Sequence, residues 1–453
     1  MLGVAAEPIV AVATPRGRGG VGVVRISGPD LQGWLCHLTD RSVLARQAVH
    51  ARFIDAEGNA IDEGILLYFP APGSFTGEDV IELQGHGNPV ILDMLVRRAI
   101  ELGARPARPG EFSERAFFNG KLDLVQAEAI ADMVAAESEA AVRGALRSLQ
   151  GEFSRRVHAI AGQLIGVRVL MEAGLDFSDQ DIEFATTGQL RDRLLGLCDE
   201  LDELIEQARA GARLQEGFHV VIAGRPNAGK SSLLNALSGR DSAIVTAVPG
   251  TTRDLVRDTI SLEGMDFHLS DTAGFRISTD PIELEGMRRA REEAMRADLV
   301  LLVVESLGDW QCDVDQLLDG EFSAAMAEGR LLLVLNKIDL SGLAAGVQDR
   351  TPPAIAVSTV SGAGMEVLRA KLFQLARPLL GTEGQFVARR RHLVALAETR
   401  SRTQAALGMV GSYPAELVAE ELRLAQQEVD SITGAFTSDE LLGAIFSGFC
   451  IGK

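Results

Sequence analysis

The rhythm of apolar positions changes along the chain. Residues 1 to about 120 carry short runs rich in Val and Ile, among them Ile9 to Val12, Val21 to Ile26, Gly64 to Phe69 and Val80 to Leu83. Turn residues such as Pro72-Gly73 separate them, so these runs read as strands. Pro89 to Glu101 reads as one helix with its proline at the start. An α+β domain over 1–120 is expected. From about Leu122 to Leu214 apolar residues recur every three or four positions among Ala, Glu, Gln and Arg, with few Pro or Gly. That spacing predicts long helices. The same composition returns from about Arg389 to Ile432, and in between strands and helices alternate. The pattern predicts a discontinuous helical domain over 121–214 and 381–453, interrupted by an inserted α/β domain over 215–380. Such an insertion is feasible because the ends of compact domains often lie close together.

Composition narrows the function classes. At 46% apolar residues the 453-residue chain can give each domain a core. A formal charge of -19 argues against a sequence-independent nucleic-acid coat, whose affinity would come from clustered Lys and Arg. RNA would then be held by a local basic patch or through a partner. The four cysteines, Cys36, Cys198, Cys312 and Cys450, show no Cys-x-x-Cys spacing, which speaks against a zinc site or a disulfide framework. A reducing cytosol fits. No apolar stretch approaches the ~20 residues needed to span a bilayer, and Glu7 and Pro8 interrupt the N-terminal apolar run, so no signal peptide is expected.

The chemistry concentrates in the central segment. Phe218 to Ala223 leads into Gly224-Arg225-Pro226-Asn227-Ala228-Gly229-Lys230-Ser231, and a helix follows from Ser232 to Leu237. Strand, glycine-bracketed loop and helix are the context of a phosphate loop. The glycines let backbone N–H groups face phosphate, Lys230 reaches the β and γ phosphates, and the Ser231 hydroxyl ligates Mg²⁺. After Met265 to Ser270 comes Asp271-Thr272-Ala273-Gly274, suited to a water-mediated Mg²⁺ contact from Asp271 and a γ-phosphate contact from the Gly274 amide. Leu331 to Leu335 ends in Asn336-Lys337-Ile338-Asp339, and Ser358-Thr359 follows Ile355 to Val357. One such tetrapeptide is an ordinary turn, but four in this order at strand ends resemble the P-loop GTPase family. The resemblance makes Asp339 the acceptor of two guanine hydrogen bonds that adenine cannot supply. Thr359 departs from the Ser-Ala usual in that family.

Ras-type GTPases carry a water-orienting glutamine after the Asp-x-x-Gly element, where this chain has Phe275. Another device is needed. Val245-Thr246-Ala247-Val248-Pro249-Gly250-Thr251-Thr252-Arg253-Asp254 is rich in hydroxyls and carbonyls that can close over Mg²⁺ and hold a second cation, although a surface turn would look the same. Together with the phosphate loop it resembles the potassium-activated GTPases of the MnmE (TrmE) family. The resemblance implies K⁺ held by Asn227, Thr246, Val248 and Thr251, with Thr252 as the second Mg²⁺ hydroxyl beside Ser231. It further implies nucleotide contacts from Asn227 to Ser232, Thr246 to Thr252, Asp271 to Gly274, Asn336, Lys337, Asp339, Ser358 and Thr359. It gives Glu283 the role of catalytic acid alongside Lys230; Glu285 is its rival by proximity, and either can be a solvated helix-start charge.

The MnmE resemblance covers nearly the whole chain. It includes Thr14 to Gly28, Ser74 to Asp79, Glu82 to Gly87 and Arg108 to Phe117. Gly17-x-Gly19-x-x-Gly22 fits a dinucleotide fingerprint formally, but a β-branched run follows it instead of a helix. By resemblance, the N-terminal domain binds a 5,10-methylene- or 5-formyl-tetrahydrofolate through Arg25, Glu82, Lys121 and Lys453, and it dimerises. Cys450, in Phe449-Cys450-Ile451-Gly452-Lys453, is then a candidate for chemistry, with a buried structural thiol as the alternative. Prenylation there is poor because Gly452 is not aliphatic. His86, between two glycines, is a possible acid-base group but reads better as a turn residue. The acidic run Asp176 to Glu183 lacks the glycine of a calcium loop and reads as a solvated face. The family further implies a cytoplasmic homodimer that forms a heterotetramer with the FAD-containing MnmG (GidA) and acts on C5 of the tRNA wobble uridine. A ribosome-assembly or signalling GTPase is the alternative, and a folate-binding scaffold with a vestigial nucleotide site is another.

Overall fold

The computed structural model describes residues 7–15, 17–136, 138–176, 183–238, 257–262, 265–271, 297–308, 310–311, 314, 322–350, 352–377, 386–435, 439–449 and 452. The chain divides into two compact units, one of residues 1–134, 145–205 and 390–453, the other of 135–144 and 206–389.

In the first unit, β1 (Ile9–Val12), β2 (Gly19–Gly28), β3 (Val49–Ile54), β4 (Ala60–Phe69), β5 (Asp79–Gly87) and β6 (Arg105–Pro106) form one sheet in the order β3-β4-β5-β2-β1-β6. Alternate residues of the strands, including Val24, Ile26, Leu66, Ile81 and Leu83, are buried against Leu92, Leu95 and Ala99 of the helix Pro89–Glu101. That helix starts as its sequence predicts: Pro89 needs no partner for a backbone N–H, and the Asn88 side chain accepts from Val90 N. Because one face is committed to the core, the opposite face carries Arg25, Glu82 and Gln84. Helices Leu124–Ala135, Glu152–Asp176, Arg390–Met409 and Ala415–Thr433 are the longer helices of this unit beside that one. Val418, Leu422, Ala425, Val429 and Ile432 form the buried stripe of the last.

Two of these helices meet through charge. Glu128, 1% exposed, takes Arg391 in two hydrogen bonds of 2.7 Å, and His392 Nε2 lies 3.0 Å from it. Arg391 also donates to the carbonyls of Ser431 and Ile432, so three helices share one polar knot. Burial alone would push the Glu128 carboxyl up. The hydrogen bonds and charges of His392 and Arg391 outweigh it and bring the pKa down to about 2.

In the second unit, β7 (Phe218–Ala223), β8 (Arg257–Leu262), β9 (Met265–Asp271), β10 (Leu299–Glu305), β11 (Leu331–Asn336), β12 (Gly346–Gln348) and β13 (Ala354–Ala356) form a sheet in the order β12-β13-β11-β10-β7-β9-β8. The inner pairs are parallel, and only the edge strands β8 and β12 run antiparallel to their neighbours. Parallel strands covered on both faces are continuously apolar. That is why Leu331 to Leu335 and Leu299 to Val304 are buried at every position. The ends of β7 and β11 deliver the phosphate-loop and Asn-Lys-x-Asp motifs, as expected for a crevice outside the carboxyl ends of a doubly wound sheet.

Candidate functional site

The loop after β7 has a backbone that only small residues permit. Gly224 has φ 144°, and a Cβ there would lie 2.2 Å from the Val303 carbonyl oxygen; at Gly229, φ 93°, a Cβ would lie 2.2 Å from Asn336 Nδ2. Asn227 takes the left-handed conformation at φ 65°. The helix Lys230–Ser238 begins directly, with Leu233 N donating to Gly229 O at 2.8 Å. Its first-turn residues Ser231 and Ser232 are exposed. Lys230 is buried, and its Nζ donates to the carbonyls of Gly224 and Arg225 at 3.0 and 3.1 Å. The loop therefore holds its own cation within a turn whose amides and helix start favour an anion.

At the end of β11, Asn336 is 1% exposed and binds in two directions. Its Nδ2 donates to Ala228 O at 3.0 Å, and its Oδ1 accepts from Thr359 N at 3.4 Å. Lys337, in the left-handed region at φ 66°, pairs with Glu305 Oε1 at 2.9 Å. Asp339 is exposed, and Ser358 donates to its Oδ1 at 2.5 Å. Ser358 Oγ is itself fixed by the backbone N–H groups of Val360 and Ser361. The Thr at 359 makes its contact through the backbone, so the departure from alanine leaves this tie intact. Asp271 closes β9, with Ile222 of β7 as its register partner. Thr246 to Thr252, Thr272 to Gly274 and Glu283 lie outside the described residues.

On the open face of the first sheet, Arg25 and Glu82 are register partners and pair directly, with Arg25 Nε and Nη2 at 2.9 and 2.8 Å from Glu82 Oε1. Gln84 donates to the other oxygen at 3.3 Å. The rings of Phe75 and Phe112 flank the Arg25 guanidinium at 5.7 and 5.8 Å. Arg25 Nη1 also reaches Gly452 O at 3.4 Å, which brings Gly452 to this face. Lys121 donates to Pro72 O at 3.0 Å. Lys453 and Cys450 lie outside the described residues.

A charge network supports the ring positions. Arg115, fully buried, pairs with Glu78 at 2.9 Å and Glu111 at 3.3 Å, and Glu111 also binds Arg105 and the Arg108 N–H. Burial pushes the Glu111 carboxyl up, but Arg105 and the Arg108 backbone bring it down to about 2. The Ser74 to Asp79 and Arg108 to Phe117 motifs thus hold each other.

A family model described as the MnmE helical domain matches residues 124–450, and one described as the GTP-binding protein TrmE N-terminus matches residues 8–121. The chain belongs to the MnmE family. Among its relatives are the tRNA modification GTPase MnmE of Methylococcus capsulatus, 51% identical over 450 residues, and that of Pseudomonas aeruginosa strain UCBPP-PA14, 51% identical over 452 residues; each alignment covers 99% of both chains. The protein of the same name from Azoarcus sp. is 51% identical over 451 residues, covering 99% of this chain and 98% of its own.

Beside the MnmE motifs, the structure adds residues that the sequence did not single out. Glu305 is the partner of Lys337, and Phe75 and Phe112 flank Arg25. His86 is not a turn residue: β5 continues through Gly87, pairing with β2 as far as Gly19. Its partner is Asp62, 24 positions away, and no local pattern signals that distance. No helix among the described residues is long and apolar enough to cross a membrane.

Proposed function

We propose that this protein is a GTPase that acts in tRNA modification, with GTP as substrate and Mg²⁺ bound at Ser231 and Thr252. The observation that carries the reading is the hydrogen bond from Asn336 Nδ2 to Ala228 O, by which the guanine-recognition motif and the phosphate loop form one body. The residues fit a guanine nucleotide. Gly224 and Gly229 leave room where a Cβ would collide, Lys230 supplies charge for the β and γ phosphates, and Ser358 presents Asp339 to a base edge. Bound Mg²⁺ would neutralise charge developing on the phosphates. Asn227, Thr246, Val248 and Thr251 would hold K⁺ where an arginine finger acts in other GTPases, and Glu283 would orient the attacking water through a second water.

In the same reading, Arg25, Glu82, Lys121 and Lys453 hold a reduced folate. Glu82 accepts from the amino groups of the pterin, and the cations take the glutamate tail. The chain would act in the cytoplasm as a homodimer with the FAD-containing MnmG, installing an aminomethyl-type group at C5 of the tRNA wobble uridine. Hydrolysis of GTP is then a conformational step in that cycle.

Two measurements test this. An arginine finger is worth roughly 10³–10⁵ in turnover, so a potassium ion in its place should make GTP hydrolysis at least ~10-fold faster in KCl than in NaCl. Equal rates would remove the potassium assignment. Mass spectrometry of tRNA nucleosides from a deletion strain should show wobble uridine without the modification, restored by the intact gene. An unchanged nucleoside profile would favour a ribosome-assembly or signalling switch.

A further inference from the structure

The end of β10 stands in the nucleotide crevice, yet no motif marks it. In the sheet β10 lies between β7 and β11, the strands that carry the phosphate loop and the Asn-Lys-x-Asp turn. Both neighbours meet it: a Cβ at Gly224 would strike the Val303 carbonyl, and Glu305 is the register partner of Asn336. Leu299 to Val304 are apolar and buried, and the strand then ends on a carboxylate. The carboxyl ends of the strands are where a doubly wound sheet takes its ligand. A bare negative charge there would repel the phosphates of a nucleotide, so its presence needs a reason.

The last residues of the strand clasp the guanine motif. Glu305 Oε1 holds Lys337 Nζ at 2.9 Å, and Glu305 is the one partner of that ammonium among the described residues. Ser306 N donates to Asn336 O at 2.9 Å, and Ser306 Oγ lies 2.8 Å from Ser341 Oγ, at the end of the short helix Ile338–Ser341. Stability does not account for the ion pair. Its side chains keep 29% and 39% of their surface exposed, and pairs of that kind contribute little to folding. Lys337 meanwhile holds a left-handed backbone at φ 66°, which a residue with a side chain adopts at a cost. What the pair fixes is direction. A lysine stem is long and rotamer-rich, and unpaired it would sample many conformers.

We propose that Glu305 is a positioning residue of the guanine site, acting through Lys337; this rests on the GTP reading above. With its ammonium held by Glu305, the Lys337 stem is ordered before nucleotide arrives, two residues from Asp339. Its methylenes then offer the flat purine an apolar surface. The nucleotide has no lysine left to order on binding, whereas immobilising one such side chain weakens affinity roughly 2- to 12-fold. The same pairing neutralises the carboxylate, so the crevice keeps its attraction for phosphate.

The test uses the full chain with Mg²⁺ and compares the parent with Glu305→Ala, Glu305→Gln, Lys337→Met and the double variant Glu305→Ala/Lys337→Met. Calorimetry should show Glu305→Ala binding GTP and GDP each about 5-fold more weakly. One factor serves both nucleotides, because the base end of the site does not meet the γ-phosphate. The loss should lie in KM for GTP, with kcat within about twofold of the parent. Glu305→Gln keeps an oxygen at the same reach and should fall between the parent and Glu305→Ala. In the Lys337→Met background, Glu305→Ala should change affinity less than about twofold, since a residue that acts through another loses its effect with it. A role in the fold alone would weaken binding equally in both backgrounds, and that outcome overturns the proposal. So does an unchanged affinity in Glu305→Ala. Should Glu305→Ala not fold, Glu305→Gln carries the same cycle. A parent with no preference for GTP over ATP removes the GTP reading before any variant is compared, and the proposal with it.

Discussion

Changing Asp339 to Asn should weaken GTP binding by at least ~10³-fold and confer binding of xanthosine triphosphate. Discrimination built on hydrogen bonds to a substrate edge reaches roughly 10⁴–10⁵, because a mismatch leaves polar groups unpaired away from water. Guanine offers two donors, N1–H and the 2-amino group, and a carboxylate accepts both. Asn turns one acceptor into a donor and sets it against the amino group. Xanthine has a carbonyl at that position, so the new donor finds a partner. The orientation comes from Ser358, whose hydroxyl bonds Asp339 Oδ1 at 2.5 Å and is itself anchored by two backbone N–H groups. Competition between labelled GTP and xanthosine triphosphate on both proteins measures the exchange. An Asn variant that still prefers GTP would mean that Asp339 does not read the base.

Removing the carboxylate of Glu128 by Glu128→Ala should cost about 3–5 kcal/mol at neutral pH, the usual range for breaking a buried charged pair. Arg391 and His392 would lose their shared acceptor between three helices. The pH dependence has a definite sign. The folded-state pKa of about 2 lies below the ordinary 4.5, so the contribution is complete above pH 4.5 and fades as pH falls toward 2. A shift of that size corresponds to ~3 kcal/mol. Denaturant titrations at pH 7 and pH 3 should show the gap between parent and variant narrowing in acid. A gap that stays constant or widens would show that packing, not ionisation, sets the cost.

Both predictions concern residues whose roles differ in how far sequence reveals them. The inner strands of the second sheet are legible because burial on both faces demands unbroken apolar runs, as in Leu331 to Leu335. The helix Pro89–Glu101 is legible from its proline start. The end of β5 is not, because Gln84-Gly85-His86-Gly87 has little strand propensity of its own; its ladder comes from β2, where Gly22 pairs with Gly85. The helix Asp439–Ser447 lies beyond the stretch whose composition marked it helical. At the candidate site, the motif residues are visible because the motifs combine particular residue types at fixed spacing. Their supports are not: Glu305 lies 32 positions from Lys337, and Arg391 lies 263 from Glu128. Ion pairs of that separation depend on topology, which local pattern does not encode.

The amide of Asn336 touches the backbone of Ala228, and the space above Gly229 is filled by that same amide. If Lys230 and Asp339 hold the two ends of one nucleotide as proposed, base and triphosphate pockets are not independent modules that evolution can tune one at a time. Substitutions in either will show thermodynamic coupling with the other, since residues sharing a partner depart from additivity. A drift in nucleotide specificity would then carry a change in phosphate grip along with it.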